Sequence, residues 1–188
     1  MLANKSNEVL DAMAAYHKNK PIRTPEVMSR PLITKPMDAG WKESIRETKF
    51  WALNTKEPIT PELKPILDLR DKLLTFGGEE GCMPFIEEDL LEIQVRGQLW
   101  YGDRINLMEG LPSQCHHNSA LLWHFNRDDL LIATGYALSD DGMWRQHSWC
   151  VHVKPKNNDI VETTTERVAY FGFVLNKRQS EKFYYENT

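Results

Sequence analysis

The chain has 188 residues, 41% of them hydrophobic, and a formal net charge of −4. That length suits one compact domain with a sizeable core, and the acidic balance gives no general attraction to phosphate backbones or anionic lipid, so neither nucleic acid nor membrane is expected as a partner. Three cysteines (Cys82, Cys115, Cys150) cannot all pair within the chain and are read as reduced thiols of a cytoplasmic protein.

In chain order, the first twenty residues mix charges among apolar groups and lack the continuous apolar run of a secretory signal. SNEVLDAMAAYHK spaces Val9, Met13 and Tyr16 as a short helix that Ser6 can cap. Seven of the ten prolines fall in the first 65 residues, and each removes a backbone donor and biases its predecessor to extended geometry. Residues 1–65 therefore read as a proline-punctuated arm, net basic against an acidic remainder, that is expected to lie over a main domain of residues 66–188 and to seek cover for Trp41, Phe50 and Trp51, with disorder of the arm as the alternative. TPELKPILDLRDKLLTF, residues 60–76, predicts a helix capped by Thr60 with Pro61 at its first position, ended by Gly77 and Gly78.

PFIEEDLLEIQ predicts a helical turn or two before the chain becomes strand-like toward Leu99 and Trp100. GDRINLMEGLP, residues 102–112, reads as a loop. CHHNSALLWHFN then predicts a helix whose first turn carries Cys115. LLIATGYAL at 130–138 is a strand, SDDGM a turn, and RQHSWCVHV an alternating strand on which His147 and Trp149 face one way while Ser148 and Cys150 face the other. PKNND is a turn, IVETTT a third strand and YFGFVL a fourth. The longest nearly apolar stretch, LLIATGYAL, falls far short of the roughly 20 residues that a membrane-crossing helix needs.

The order of cysteine at a helix start, strand, strand with histidine and strand with carboxylate has a chemical logic. A positive helix end and a neighbouring imidazolium stabilise a thiolate. The histidine can return the proton to a leaving group, and a carboxylate can orient its ring. Cys115 is the candidate nucleophile, His147 the base and acid, and Glu162 the orienting carboxylate; the strand register leaves Thr164 or Glu166 open as alternatives. The Cys115 amide and the Gln114 side chain are candidate oxyanion donors, and Trp149, with Trp100 and Trp144, is a candidate wall of the substrate cleft. A zinc site from Cys115, His117, His147 and Cys150 is conceivable by residue type, but no CxxC or HxxxH spacing supports it, and neither metal nor other cofactor is expected.

From residue 113 to about 165, SQCHHNSALLW, TGYAL, HSWCVHV and IVETTT together resemble the core of the transglutaminase-like, papain-related thiol hydrolase superfamily. The resemblance implies an α+β fold in which a cysteine-bearing helix packs on an antiparallel sheet. It assigns Cys115, His147 and Glu162 as a triad, with glutamate where aspartate is the commoner third member. The implied activity is hydrolysis or acyl transfer at an amide or peptide-type bond through a thioester, on a protein, peptide or small amide substrate. The same fold without activity, serving as a binding or inhibitory protein, is the alternative, and the oligomeric state is left open.

Overall fold

The computed structural model describes residues 32–49, 61–84, 87–103, 105–154 and 160–188. The helix expected around Val9 to Tyr16 lies outside them, as do Thr60 and the 155–159 turn. Among the described residues the elements run α1 (Ala39–Lys49), α2 (Lys64–Phe76), β1 (Glu80–Cys82), α3 (Leu90–Arg96), β2 (Gln98–Tyr101), β3 (Ile105–Leu107), α4 (Cys115–Phe125), β4 (Leu130–Leu138), β5 (Met143–His152), β6 (Ile160–Glu162), β7 (Ala169–Val174) and α5 (Lys177–Asn187). None of these helices is long and apolar enough to cross a membrane.

The strands form one sheet in the order β2-β7-β4-β5-β6-β3, with β1 added beside β5. Its central pairings are antiparallel, as expected, but β1 with β5 and β3 with β6 are parallel, so the sheet is mixed. Only residues 102–104 separate β2 from β3 in the chain, yet these strands stand at opposite ends of the strand order. The sheet must therefore curl until its two ends approach. Gly135 and Gly172 face each other across β4 and β7, and a Cβ on Gly135 would sit 2.3 Å from the Phe171 carbonyl oxygen. That close approach of two backbones, open only to glycine, lets the sheet bend at this row.

Curling divides the core in two. Inside the curl Trp100, Trp149 and Tyr170 pack with Ala133, Val151 and Val174, all contributed by strands. On the outer face the sheet residues Ile132, Tyr136, Trp144 and Phe171 meet Leu69 and Leu73 of α2, Ile93 of α3 and Trp123 of α4. Period-two alternation along β4 and β5 feeds both layers, which is why every residue of β4 is buried. Met37 and Ile45 join the outer layer, and the Lys35 amide donates to the Asp140 carbonyl at 2.6 Å, but Trp41, expected to find cover, is 50% exposed, and Phe50 and Trp51 lie outside the described residues.

Two local expectations need correction. The α2 helix starts at Lys64 rather than after Thr60, with Pro65 in its first turn. A helix begun at Pro61 would bury Pro65 in its interior, where the missing N–H and the ring clash with the preceding turn are costly. The presumed loop 102–112 contains β3, a three-residue strand that exists because it pairs with β6 in register Leu107 to Glu162. No local pattern announces a strand so short. β1 has the same character, being held by parallel pairing to Met143–Arg145 and by the buried Arg70–Glu80 ion pair, Nη2 to Oε2 2.8 Å. α5 begins with a capping box between Asn176 and Gln179.

Candidate active site

The outer edge of β5 is covered by β1 at residues 143–145 and by β6 at 150 and 151. Between them, residues 146–149 have no strand neighbour on that edge among the described residues. The N-terminus of α4 occupies this gap. Cys115 is its first residue, half-buried, preceded by Gln114 at the N-cap. The turn into the helix is tight: the Gln114 amide donates to the Leu111 carbonyl at 3.3 Å, and Ser113 takes a left-handed φ of 59°. That is a sparsely populated region for a residue other than glycine, and it sits two positions before the thiol.

The Cys115 thiol lies near enough to the His147 side chain and to the backbone N–H of Ser148 for both to favour its ionised form. His147 Nε2 lies 2.8 Å from Glu162 Oε2, which leaves Nδ1 for the sulfur. The Glu162 carboxyl is fully buried and each oxygen is committed. Oε1 accepts from the Thr163 and Thr164 amides at 2.9 and 2.8 Å and from the Thr164 hydroxyl at 2.8 Å. Oε2 accepts from His147 and from the Tyr170 hydroxyl at 2.8 Å. Glu162, rather than Thr164 or Glu166, binds the His147 ring, and Cys115 lies beside that pair.

Electrostatics follow from these contacts. Burial works against ionisation of Cys115, but the His147 and Ser148 hydrogen bonds and the imidazolium charge outweigh it, and the thiol pKa falls below its ordinary value of 9.0. Burial likewise works against a charged His147, yet Cys115 and Glu162 on its two nitrogens raise it from 6.5 to about 9. For Glu162 burial is again the largest cause and acts upward, but His147, the Thr164 amide and Tyr170 hold it down at about 2. Imidazolium and carboxylate therefore coexist at neutral pH, and the imidazolium favours ionisation of the neighbouring thiol. Cys150 contrasts with this: its thiol donates to the Ser119 carbonyl at 3.5 Å, and burial, outweighing the Trp123 backbone, pushes its pKa far up.

The remaining predicted residues are distributed differently. Gln114 is exposed and its side chain makes no cap bond. Trp149 is fully buried inside the curl, stacked behind the His147 ring at 6.2 Å between centroids and edge-on to Trp100 at 5.4 Å. Trp100 and Trp144 are equally buried, the first inside the curl with Trp149 and the second in the outer layer, so none of the three lines an open cleft. The inward parity of β5 that points His147 at Glu162 also sinks Trp149, two residues on. The conceivable zinc set does not converge: His147 and Cys150 face opposite sides of β5, and His117 Nδ1 donates to the Asn187 carbonyl at 2.8 Å. Among the described residues, no group of three His, Cys, Asp or Glu is placed to hold a metal ion.

Three contributors have no motif of their own. Tyr170 reaches Glu162 from β7, and only the sheet register brings it there. Asn118, one turn into α4, binds both the amide and the carbonyl of Leu111, at 3.0 and 2.8 Å, and the Thr163 carbonyl at 3.3 Å. It thereby clamps the loop before Cys115 to the residue after Glu162. His116 turns the other way and places Nδ1 2.6 Å from the Ser148 hydroxyl, which in turn lies 3.1 Å from that of Thr134. Burial and the His147 charge lower the His116 pKa, so its ring stays neutral beside the ion pair. No family model, curated protein or solved structure matches the chain.

Proposed function

We propose that this protein is a thiol hydrolase or acyl transferase acting on an amide or peptide-type bond, built on the transglutaminase-like, papain-related core. The observation that carries the reading is the buried His147–Glu162 pair, 2.8 Å apart, set beside a Cys115 thiol whose ionised form it favours. The contrast with Cys150, whose thiol burial keeps protonated, supports a role for Cys115 beyond packing.

In the first half-reaction the Cys115 thiolate attacks the carbonyl carbon, a C–S bond forms, and the π pair moves to oxygen. The Cys115 amide, free of an intrahelical partner at the first helical position, is directed at that oxygen. Collapse breaks the C–N bond while the His147 imidazolium gives its proton to the departing nitrogen. In the second, His147 takes a proton from water, the hydroxide adds to the thioester, and loss of the C–S bond restores the thiolate. An amine in place of water gives acyl transfer by the same steps. Glu162 keeps the ring oriented and its charge balanced throughout. The substrate class is a protein, a peptide or a small amide, and three unpaired thiols fit a reducing compartment.

The test is site-resolved alkylation by iodoacetamide at pH ~6, where an ordinary thiol is almost wholly protonated. Cys115 should be modified far faster than Cys82 and Cys150, with His147→Ala removing the advantage. Equal, slow modification of all three thiols in the folded protein would refute the reading.

A further inference from the structure

We propose that Gln146 supplies the second oxyanion donor beside the Cys115 amide, held in place by the buried carboxyl of Glu87. The inference rests on the acyl-transfer reading above and replaces Gln114 in the role the sequence suggested for it.

The relative direction of helix and strand carries the argument. His116, near the start of α4, contacts Ser148, and Ser119, almost one turn later, contacts Cys150. Helix and strand thus advance together, and tracing α4 backward past Cys115 leads to residue 146 of β5. Gln146 shares a face with Ser148 and lies two residues earlier, about 7 Å along the strand. It belongs to the 146–149 stretch that no strand covers, and it is exposed. The N–H groups of a helical first turn point out of the N-terminus. The Cys115 amide and the Gln146 side chain therefore face the same space, in front of the sulfur.

What distinguishes Gln146 from an ordinary surface glutamine is the group beneath it. Its Nε2 donates to Glu87 Oε2 at 3.2 Å. The same oxygen receives the Tyr136 hydroxyl, and Oε1 accepts from the Asp89 amide at 3.3 Å. Glu87 is only 8% exposed and Tyr136 is wholly buried, so a carboxyl with no part in the triad is sunk beside the catalytic gap. Because that carboxyl accepts, it selects the nitrogen end of the Gln146 amide and uses one of its two hydrogens. The other is left for the carbonyl oxygen of a substrate. Gln114 has no comparable anchor in its helix.

The donors act only while negative charge resides on oxygen, from C–S bond formation until the pair returns to carbon and the leaving group departs. Two reagents separate that role from thiol reactivity. p-Nitrophenyl acetate is attacked at its carbonyl, forms the oxyanion and releases p-nitrophenolate as Cys115 becomes acetylated. Iodoacetamide loses iodide from a saturated carbon and forms none. Gln146→Ala and Gln146→Glu should each slow acetylation by roughly 10²-fold, while alkylation of Cys115 keeps close to its original rate. Glu87→Gln should lower the same acetylation-to-alkylation ratio by a smaller factor, a readout that loss of packing alone would leave unchanged.

Equal rates in Gln146→Ala and the parent protein, a parallel fall of both reactions, or a selective acetylation loss in Gln114→Ala would each overturn the assignment. If Cys115 of the unaltered protein is no faster toward iodoacetamide than Cys82, the thiol reading itself fails, and the Gln146 assignment with it.

Discussion

Replacing Glu162 by glutamine removes one charge from beneath His147 and almost no volume. Three donors converge on Oε1, so the oxygen of the new amide must stay there and its nitrogen must take the Oε2 position, 2.8 Å from His147 Nε2. Two N–H groups would then face each other, and the ring must release its Nε2 proton. With the carboxylate gone, only Cys115 is left to hold the histidine up against burial, so its pKa falls from about 9 toward the ordinary 6.5. A loss of about half of that rise corresponds to on the order of 1–2 kcal/mol in the imidazolium, or about a 10-fold smaller population of the thiolate–imidazolium pair near neutrality. Site-resolved iodoacetamide kinetics at pH ~6.5, with thiolate ultraviolet absorbance as the independent readout and thermal unfolding as the check on folding, measure the loss. A folded Glu162→Gln protein whose Cys115 reacts at the original rate would show that the carboxylate does not sustain the ion pair.

The pH dependence has a defined shape. Acyl transfer should rise as Cys115 ionises, below the usual thiol range, and fall as His147 loses its proton near pH 9, with no limb from Glu162 because that carboxyl stays ionised down to about 2. Denaturant midpoints should show the linked stability: the His147 contribution is complete below 6.5 and is lost as pH rises through about 9, while that of Glu162 is complete above 4.5 and is lost as pH falls through about 2. A midpoint flat between pH 7 and 10 would contradict the raised histidine. Asn118→Ala deletes both bonds to Leu111 and the one to Thr163, and should cost about 1–3 kcal/mol in chemical denaturation together with much of the Cys115 alkylation advantage. Lost stability with reactivity untouched would mean that the clamp does not set the position of the thiol.

Strong local periodicity made much of the architecture readable. β4, over Leu130–Leu138, matches the apolar stretch read as a strand, and α4 starts at the expected cysteine. The alternation along RQHSWCVHV correctly separated the face of His147 from that of Cys150, because a pleated strand has no freedom in that respect. Where short elements depend on distant partners, the reading had nothing local to hold. β3 and β1 are three residues each and exist through parallel pairing, and the helix before β1 starts late because two closely spaced prolines compete for its first turn. Trp149 shows the other limit: residue type suggested a cleft wall, whereas the inward curl of the sheet turned it into a buried support for the histidine.

By itself, then, the sequence determined the identity of the candidate groups and the faces they occupy, since both follow from residue chemistry and from repeat distances along a single segment. Whether those groups meet was decided by the curl of the sheet and by the break in cover along β5. These bring a helix start, two strands and Tyr170 within hydrogen-bond reach although up to 55 positions separate them in the chain. Such convergence depends on interstrand register and on where neighbouring strands stop, quantities set by pairing energies over the whole sheet and by no single stretch of residues.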